Sequence, residues 1–160
     1  MKYFSTPALF LLLLLAGCHT KPKEFTLSYI VESIGIYKFS IEIDKDKNYR
    51  IQQQNIFFDA IAKKEQINTS QGQMTDEEYD QLSKLIAGNR LFKMKDTYGF
   101  DQETDSDDPL NNLVYQLIYT EGEKTKYISI RSNPTDRYPE VFLQLIRFLG
   151  TYISAHSPND

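Results

Sequence analysis

Tyr37-Lys38-Phe39-Ser40-Ile41-Glu42-Ile43-Asp44 decides the fold class. In an extended chain successive side chains point to opposite faces, so Tyr37, Phe39, Ile41 and Ile43 share one side and Lys38, Ser40, Glu42 and Asp44 the other. Alternation this strict predicts a strand in an antiparallel sheet with one dry and one wet face. Upstream, Leu27, Tyr29 and Val31 alternate with Thr26, Ser28 and Ile30, which predicts a preceding strand and a turn at 33–35. Downstream, Asp44-Lys45-Asp46-Lys47-Asn48 reads as a polar hairpin loop, and Tyr49, Ile51 and Gln53 as a third strand. Residues 56–61 read as an extension of that strand or as one more.

Beyond it, residues 63–73 are polar and carry Gly, Ser and Asn, which predicts a loop; Asn68-Thr69-Ser70, a glycosylation-type tripeptide, is read as part of it. Thr75-Asp76-Glu77-Glu78 is a capping box that starts a helix. Tyr79, Leu82, Leu85 and Ile86 give that helix an apolar face, Gly88 is its expected stop, and Leu91, Phe92 and Met94 are expected beneath the sheet. After an acidic stretch at 101–109, Leu113, Tyr115, Leu117 and Tyr119 alternate with Val114, Gln116 and Ile118. Apolar residues on both faces predict a central strand. Glu121-Gly122-Glu123 turns the chain, and residues 127–131 return it. After a turn at 133–137, Pro139 suits a first helical turn. Val141, Phe142, Leu145, Leu149, Tyr152 and Ile153 then form a broad apolar helix face. The expected architecture is α+β, an antiparallel sheet of about five strands with two helices on one face, in the order βββ-α-ββ-α. Residues 25–155 form one domain in this reading, and 156–160 a tail.

The chain begins MKYFSTPALFLLLLLAGC, one cation at Lys2 followed by an apolar block ending in Leu15-Ala16-Gly17-Cys18. Charge followed by grease is the order of a signal peptide. The block is shorter than the roughly 20 apolar residues that a spanning helix needs. Its last four residues resemble a lipobox, the processing signal of bacterial lipoproteins. That resemblance implies removal of residues 1–17, a diacylglycerol on the Cys18 thiol and acylation of the new amino group with a palmitate-like chain. Several acyl chains anchor stably, because each buried methylene contributes about 0.8 kcal/mol. Residues 18–24 become a lipidated tether. His19 rather than Asp follows the cysteine, and no dense acidic run comes next. The expected location is therefore the cell envelope, at the outer membrane facing the periplasm.

Removing a leader with one cation and no acid takes the formal charge from −4 to −5. No Lys/Arg run exists to neutralise a row of phosphates, which argues against a nucleic-acid partner. Cys18 is the only cysteine, so the domain has no intrachain disulfide and no thiol nucleophile once that residue is acylated. The two histidines, His19 in the tether and His156 in the tail, supply no triad base or zinc-ligand set. No Gly-rich phosphate loop appears, and no cofactor is expected. Asp101-Gln102-Glu103-Thr104-Asp105-Ser106-Asp107-Asp108 is similar to the start of an EF-hand loop. Ser106 stands where the turn glycine belongs, and Asn112 where the bidentate glutamate does. A solvated acidic loop is the preferred reading; Asp101, Glu103, Asp105 and Asp107 are the residues to test for a cation. Among tyrosines in predicted strands, Tyr37, Tyr115 and Tyr119 have apolar neighbours and are expected in the core. Tyr127, on a face with Ser129 and Arg131, is the better surface candidate.

Thr75-Asp76-Glu77-Glu78-Tyr79-x-x-Leu82, Leu91-Phe92-x-Met94-x-Asp96-x-Tyr98 and the acidic loop, set between two hairpins, resemble small uncharacterised lipoproteins of Gram-negative bacteria. The resemblance spans most of 25–153; its motifs are structural, and it implies no activity. The function expected from the whole sequence is a membrane-anchored, non-enzymatic domain binding an envelope protein or glycan. The alternatives are an inhibitor or immunity lipoprotein acting on a toxin or lytic enzyme through the acidic loop, and a carboxylate-dependent hydrolase.

Overall fold

The computed structural model describes residues 24–100, 113–131 and 139–157. The expected leader at 1–17, Cys18, His19, the acidic stretch at 101–109 and the expected turn at 133–137 lie outside them. The described chain is α+β: a mixed sheet of seven strands with three helices. In chain order the elements are β1 (Phe25–Ser33), β2 (Tyr37–Ile43), β3 (Asn48–Gln54), α1 (Ile56–Ala62), β4 (Ile67–Gln73), α2 (Asp76–Asn89), a 3-10 turn (Leu91–Lys93), β5 (Thr97–Tyr98), β6 (Leu113–Glu121), β7 (Lys124–Arg131) and α3 (Glu140–His156). Laterally the strands run β4-β3-β2-β1-β6-β7-β5. Every neighbouring pair is antiparallel except β5 with β7.

The alternation seen in Tyr37–Ile43 holds across the sheet. Phe25, Leu27 and Tyr29 of β1, Ile41 and Ile43 of β2, Ile51 of β3, Leu117 and Tyr119 of β6, and Ile128 and Ile130 of β7 are all buried on one face. Onto that face pack Leu82 and Ile86 of α2 and Phe142, Leu145, Leu149, Tyr152 and Ile153 of α3. The two helices lie antiparallel. Asn89, at the end of α2, donates from Nδ2 to Leu85 O (2.7 Å) and to Val141 O at the start of α3 (3.1 Å). Gly88 sits where the helices approach closely; a Cβ there would lie 3.3 Å from Val141 Cγ1.

Local signals placed several elements correctly. Thr75 Oγ1 accepts from Glu78 N–H (3.2 Å), and the Glu78 carboxylate accepts from Thr75 N–H (2.8 Å), completing the capping box. Pro139 caps α3 from one residue outside the helix, its carbonyl accepting from Phe142 N–H (2.9 Å). As expected of a central strand, β6 lies between β1 and β7. Leu91 and Met94 are buried.

Other expectations are corrected. Residues 56–61 belong to helix α1, because Asn55 Oδ1 accepts from Phe58 N–H (3.1 Å) and Lys63 closes the helix in the left-handed conformation. Residues 67–73, expected as loop, form strand β4, so Asn68-Thr69-Ser70 is extended chain paired with β3. α2 continues past Gly88, and Arg90 supplies its left-handed cap at φ 48°. Phe92 stays 40% exposed instead of packing beneath the sheet. β5 makes the sheet mixed: Ser129 N–H donates to Asp96 O (2.8 Å), which brings the chain beside β7. His156 closes α3 and stacks on Tyr152 at 4.1 Å.

Leu145 is fully buried between α3 and the sheet. Leu145→Ala is expected to destabilise the protein by about 2–5 kcal/mol. Thr75→Ala, which removes only a cap, is expected to cost about 1 kcal/mol. Urea unfolding followed by circular dichroism measures both, and equal costs would contradict this ranking.

Candidate functional site

The side chains that alternate with the core residues form the second face of the sheet, opposite the one on which α2 and α3 pack. Strand register sets Gln71, Arg50, Glu42, Ser28, Ile118 and Tyr127 in one rank over β4, β3, β2, β1, β6 and β7. The next rank is Thr69, Gln52, Ser40, Ile30, Gln116 and Ser129. Hydroxyls and amides predominate. Charges come as opposite-sign cross-strand neighbours, Glu42 beside Arg50 and Glu32 beside Lys38. Such pairing keeps the face polar without a strong net field. Tyr127 stands at one end of its rank, 61% exposed, an aromatic plane beside polar groups.

Towards the end of the sheet where β1 begins, this face is hollowed into a concavity of about 840 Å³. Ser28, Glu42, Asn48, Arg50, Gln71 and Gln73 line it, with Thr26, Asp44 and Ile118. Its rim at the β2–β3 turn is held by several hydrogen bonds. The Asp44 carboxylate accepts from Asp46 N–H (2.8 Å), Asn48 N–H (2.9 Å) and Asn48 Nδ2 (2.9 Å). Lys47, at φ 67°, accepts from Met74 N–H through its carbonyl (2.9 Å) and pairs through Nζ with Asp76 at the start of α2. Gln73 Nε2 donates to Asp46 O (3.1 Å). A rim wired this way presents its donors and acceptors in fixed positions, which lowers the ordering cost of binding.

A second, apolar groove of about 470 Å³ opens on the helical face between α3 and the sheet, lined among others by Tyr37, Phe39, Tyr115 and Ile153. Tyr119 is in the core and Tyr115 packs against it; Tyr37 is half-buried at the groove. Burial pushes the hydroxyls of Tyr29, Tyr119 and Tyr152 above the ordinary phenol range, so they remain protonated at neutral pH. His156 Nδ1 lies 3.0 Å from Tyr152 O, and its ring is stacked in the aromatic cluster with Tyr49 and Tyr152. Among the described residues no group of three or more His, Cys, Asp or Glu side chains is arranged to hold a metal. Cys18, Asp101, Glu103, Asp105 and Asp107 lie outside the described residues.

Sequence alternation assigned Ser40, Glu42 and Asp44 to the wet side. Gln71 and Gln73 were not legible as site residues: β4 reads as loop, and only the β3–β4 ladder brings its side chains to the concavity. No family model matches the chain, and no curated protein matches it either.

Desolvation raises the Asp44 pKa, but hydrogen bonds from Asn48 and Asp46, with the Lys45 charge, outweigh it and hold the carboxyl below its ordinary value. The stability this carboxylate contributes is present above its unfolded pKa of about 3.9 and is lost as pH falls through the lower folded value. Titration of the Asp44 carboxyl by NMR is expected to give a midpoint below that of a free aspartate, and Asp44→Ala to speed exchange of the Asn48 amide. A normal midpoint would show that the turn is not wired through Asp44.

Proposed function

We propose that this chain is a lipid-anchored protein of the bacterial envelope, attached through Cys18 to the outer membrane and facing the periplasm. Its domain binds an envelope protein or glycan rather than transforming a substrate. The observation that carries the binding reading is a largely polar sheet face six strands wide, opposite the one on which α2 and α3 pack, hollowed by a concavity of about 840 Å³. Hydroxyl, amide and paired charged groups on that face suit a hydrogen-bonding partner, and Tyr127 offers a plane on which a sugar ring or an apolar side chain stacks.

The sequence supports the anchor: a cation, an apolar block and a small-residue pair precede a cysteine that has no other cysteine to pair with. No helix among the described residues is long and apolar enough to cross a membrane. From Cys18 to Glu24 the tether has seven residues, a reach of about 24 Å when extended. β1 starts directly after it, and Thr26 borders the concavity. In this reading the binding face sits close to the bilayer, and its partner is a molecule found there.

Cys18→Ser is expected to abolish lipid attachment and release the protein from the membrane fraction. The mass of the wild-type mature N-terminus is expected to show a leaderless, acylated Cys18. A photo-crosslinking residue at Arg50, Gln71 or Tyr127 is expected to capture a partner that the same residue at Lys84, on α2, does not. Equal capture at Lys84 would remove the case for the open face. Unchanged membrane partitioning of Cys18→Ser would remove the case for the anchor.

A further inference from the structure

The two edges of the sheet are built differently. Beyond β7 the sheet ends in β5, two residues long and parallel, where Lys126 donates to Met94 O (2.6 Å) and pairs with Asp96. At the other edge β4 runs seven residues against β3, and among the described residues nothing pairs with its outer side. Soluble proteins guard such an edge with charge, proline or a bulge. Ile67-Asn68-Thr69-Ser70-Gln71-Gly72-Gln73 has no ionisable side chain and no proline, and its ladder with β3 runs without a skipped residue.

We propose that β4 pairs with β4 of a second copy of this chain, antiparallel about a two-fold axis at Ser70. In that register Ser70 meets Ser70, Thr69 meets Gln71, Asn68 meets Gly72 and Ile67 meets Gln73, so each contact joins uncharged residues. Asn68 is set opposite a position that bears no side chain, for Tyr49 lies across Gly72, and a Cβ there would sit 2.7 Å from the Tyr49 hydroxyl. Beyond the ends of the ladder, the two-fold sets the segment before β4, with Lys63 and Lys64, at the same end of the interface as the second copy's start of α2, with Glu77 and with Asp76, which also pairs with its own Lys47. All four residues are exposed, and the two-fold axis repeats the match. This charge complementarity selects a second copy over an unrelated extended peptide. The pairing also brings residues 74–78 of the second copy to the start of β4, where Phe58 (63%), Ile61 (64%) and Ile67 (46%) are exposed.

Self-contacting two-fold interfaces are the commonest in homo-oligomers. Because Gln71 and Gln73 line the concavity, the second β4 adds a wall to it and joins the two open faces into one surface. The pairing itself does not depend on what that surface binds.

The test uses the full-length chain in membranes and after detergent extraction. In an antiparallel pair facing Cα atoms lie about 4.5–5.5 Å apart, within disulfide range. Ser70→Cys is therefore expected to give a reducible dimer on oxidation, and Thr69→Cys at least about ten-fold less. The unaltered chain, with Cys18 as its only cysteine, is the blank. Thr69→Lys/Gln71→Lys sets like charges opposite each other at exposed sites and is expected to lower the dimer fraction in sedimentation about ten-fold, with circular dichroism unchanged. Added salt is expected to weaken the dimer as it screens the lysine–carboxylate match. Monomeric sedimentation without a Ser70→Cys link would overturn the proposal. So would equal linking at 69 and 70, a dimer indifferent to the paired lysines, or a link from Ser70→Cys to a different protein.

Discussion

The nine-pair antiparallel ladder between β1 and β6, from Phe25 opposite Glu121 to Ser33 opposite Leu113, is the joint on which the molecule depends. It unites a meander formed early in the chain with a hairpin formed late, and it does so at the middle of the sheet. Leu27 and Tyr29 face Tyr119 and Leu117 across it, all of them buried. Without this joint, β1 to β4 and β5 to β7 would be two separate sheets, each carrying only part of the buried face on which α2 and α3 pack. Contacts so distant in sequence pay their loop-closure entropy before they return any stability. The local signals of capping and alternation therefore have to hold each half in readiness.

That joint also fixes which side of the sheet meets solvent. In a strand the side-chain period is two, so once Tyr29, Ile41 and Leu117 point at the helices, Ser28, Glu42 and Ile118 must point away. The concavity and its polar ranks are thus the obligatory complement of the core. The bond from Met74 N–H to Lys47 O and the Lys47–Asp76 pair tie the start of α2 to the β2–β3 turn, so the element that closes the core also braces the rim of the open face.

Legibility followed burial. Tyr37–Ile43 and Leu113–Tyr119 announced themselves because apolar residues recur at alternate positions, and Glu140–His156 because its apolar side chains recur with helical spacing. β4 was silent because, at an edge and beyond the reach of α2 and α3, it buries nothing: of its seven residues six are exposed. α1 misled for the opposite reason. Ile56-Phe57-Phe58-Asp59-Ala60-Ile61 has the apolar run of a strand, yet it is held as a helix by polar groups. Asn55 caps it, and Asp59 accepts from Gln66 N–H and Gln54 Nε2, while Phe57, Phe58 and Ile61 stay exposed.

By itself the sequence determined the α+β class, the dry and wet faces of the strong strands, the capping box of α2 and the apolar face of α3. These are properties of short stretches, set by the period of the backbone and by side chains a few residues apart. Tertiary structure alone decided the lateral strand order, the mixed edge at β5, the edge position of β4 among the described residues, and the meeting of Glu42, Arg50 and Gln71 on one surface. Those features depend on which strand lies beside which. Packing between residues far apart in the chain makes that choice, and no local pattern encodes it.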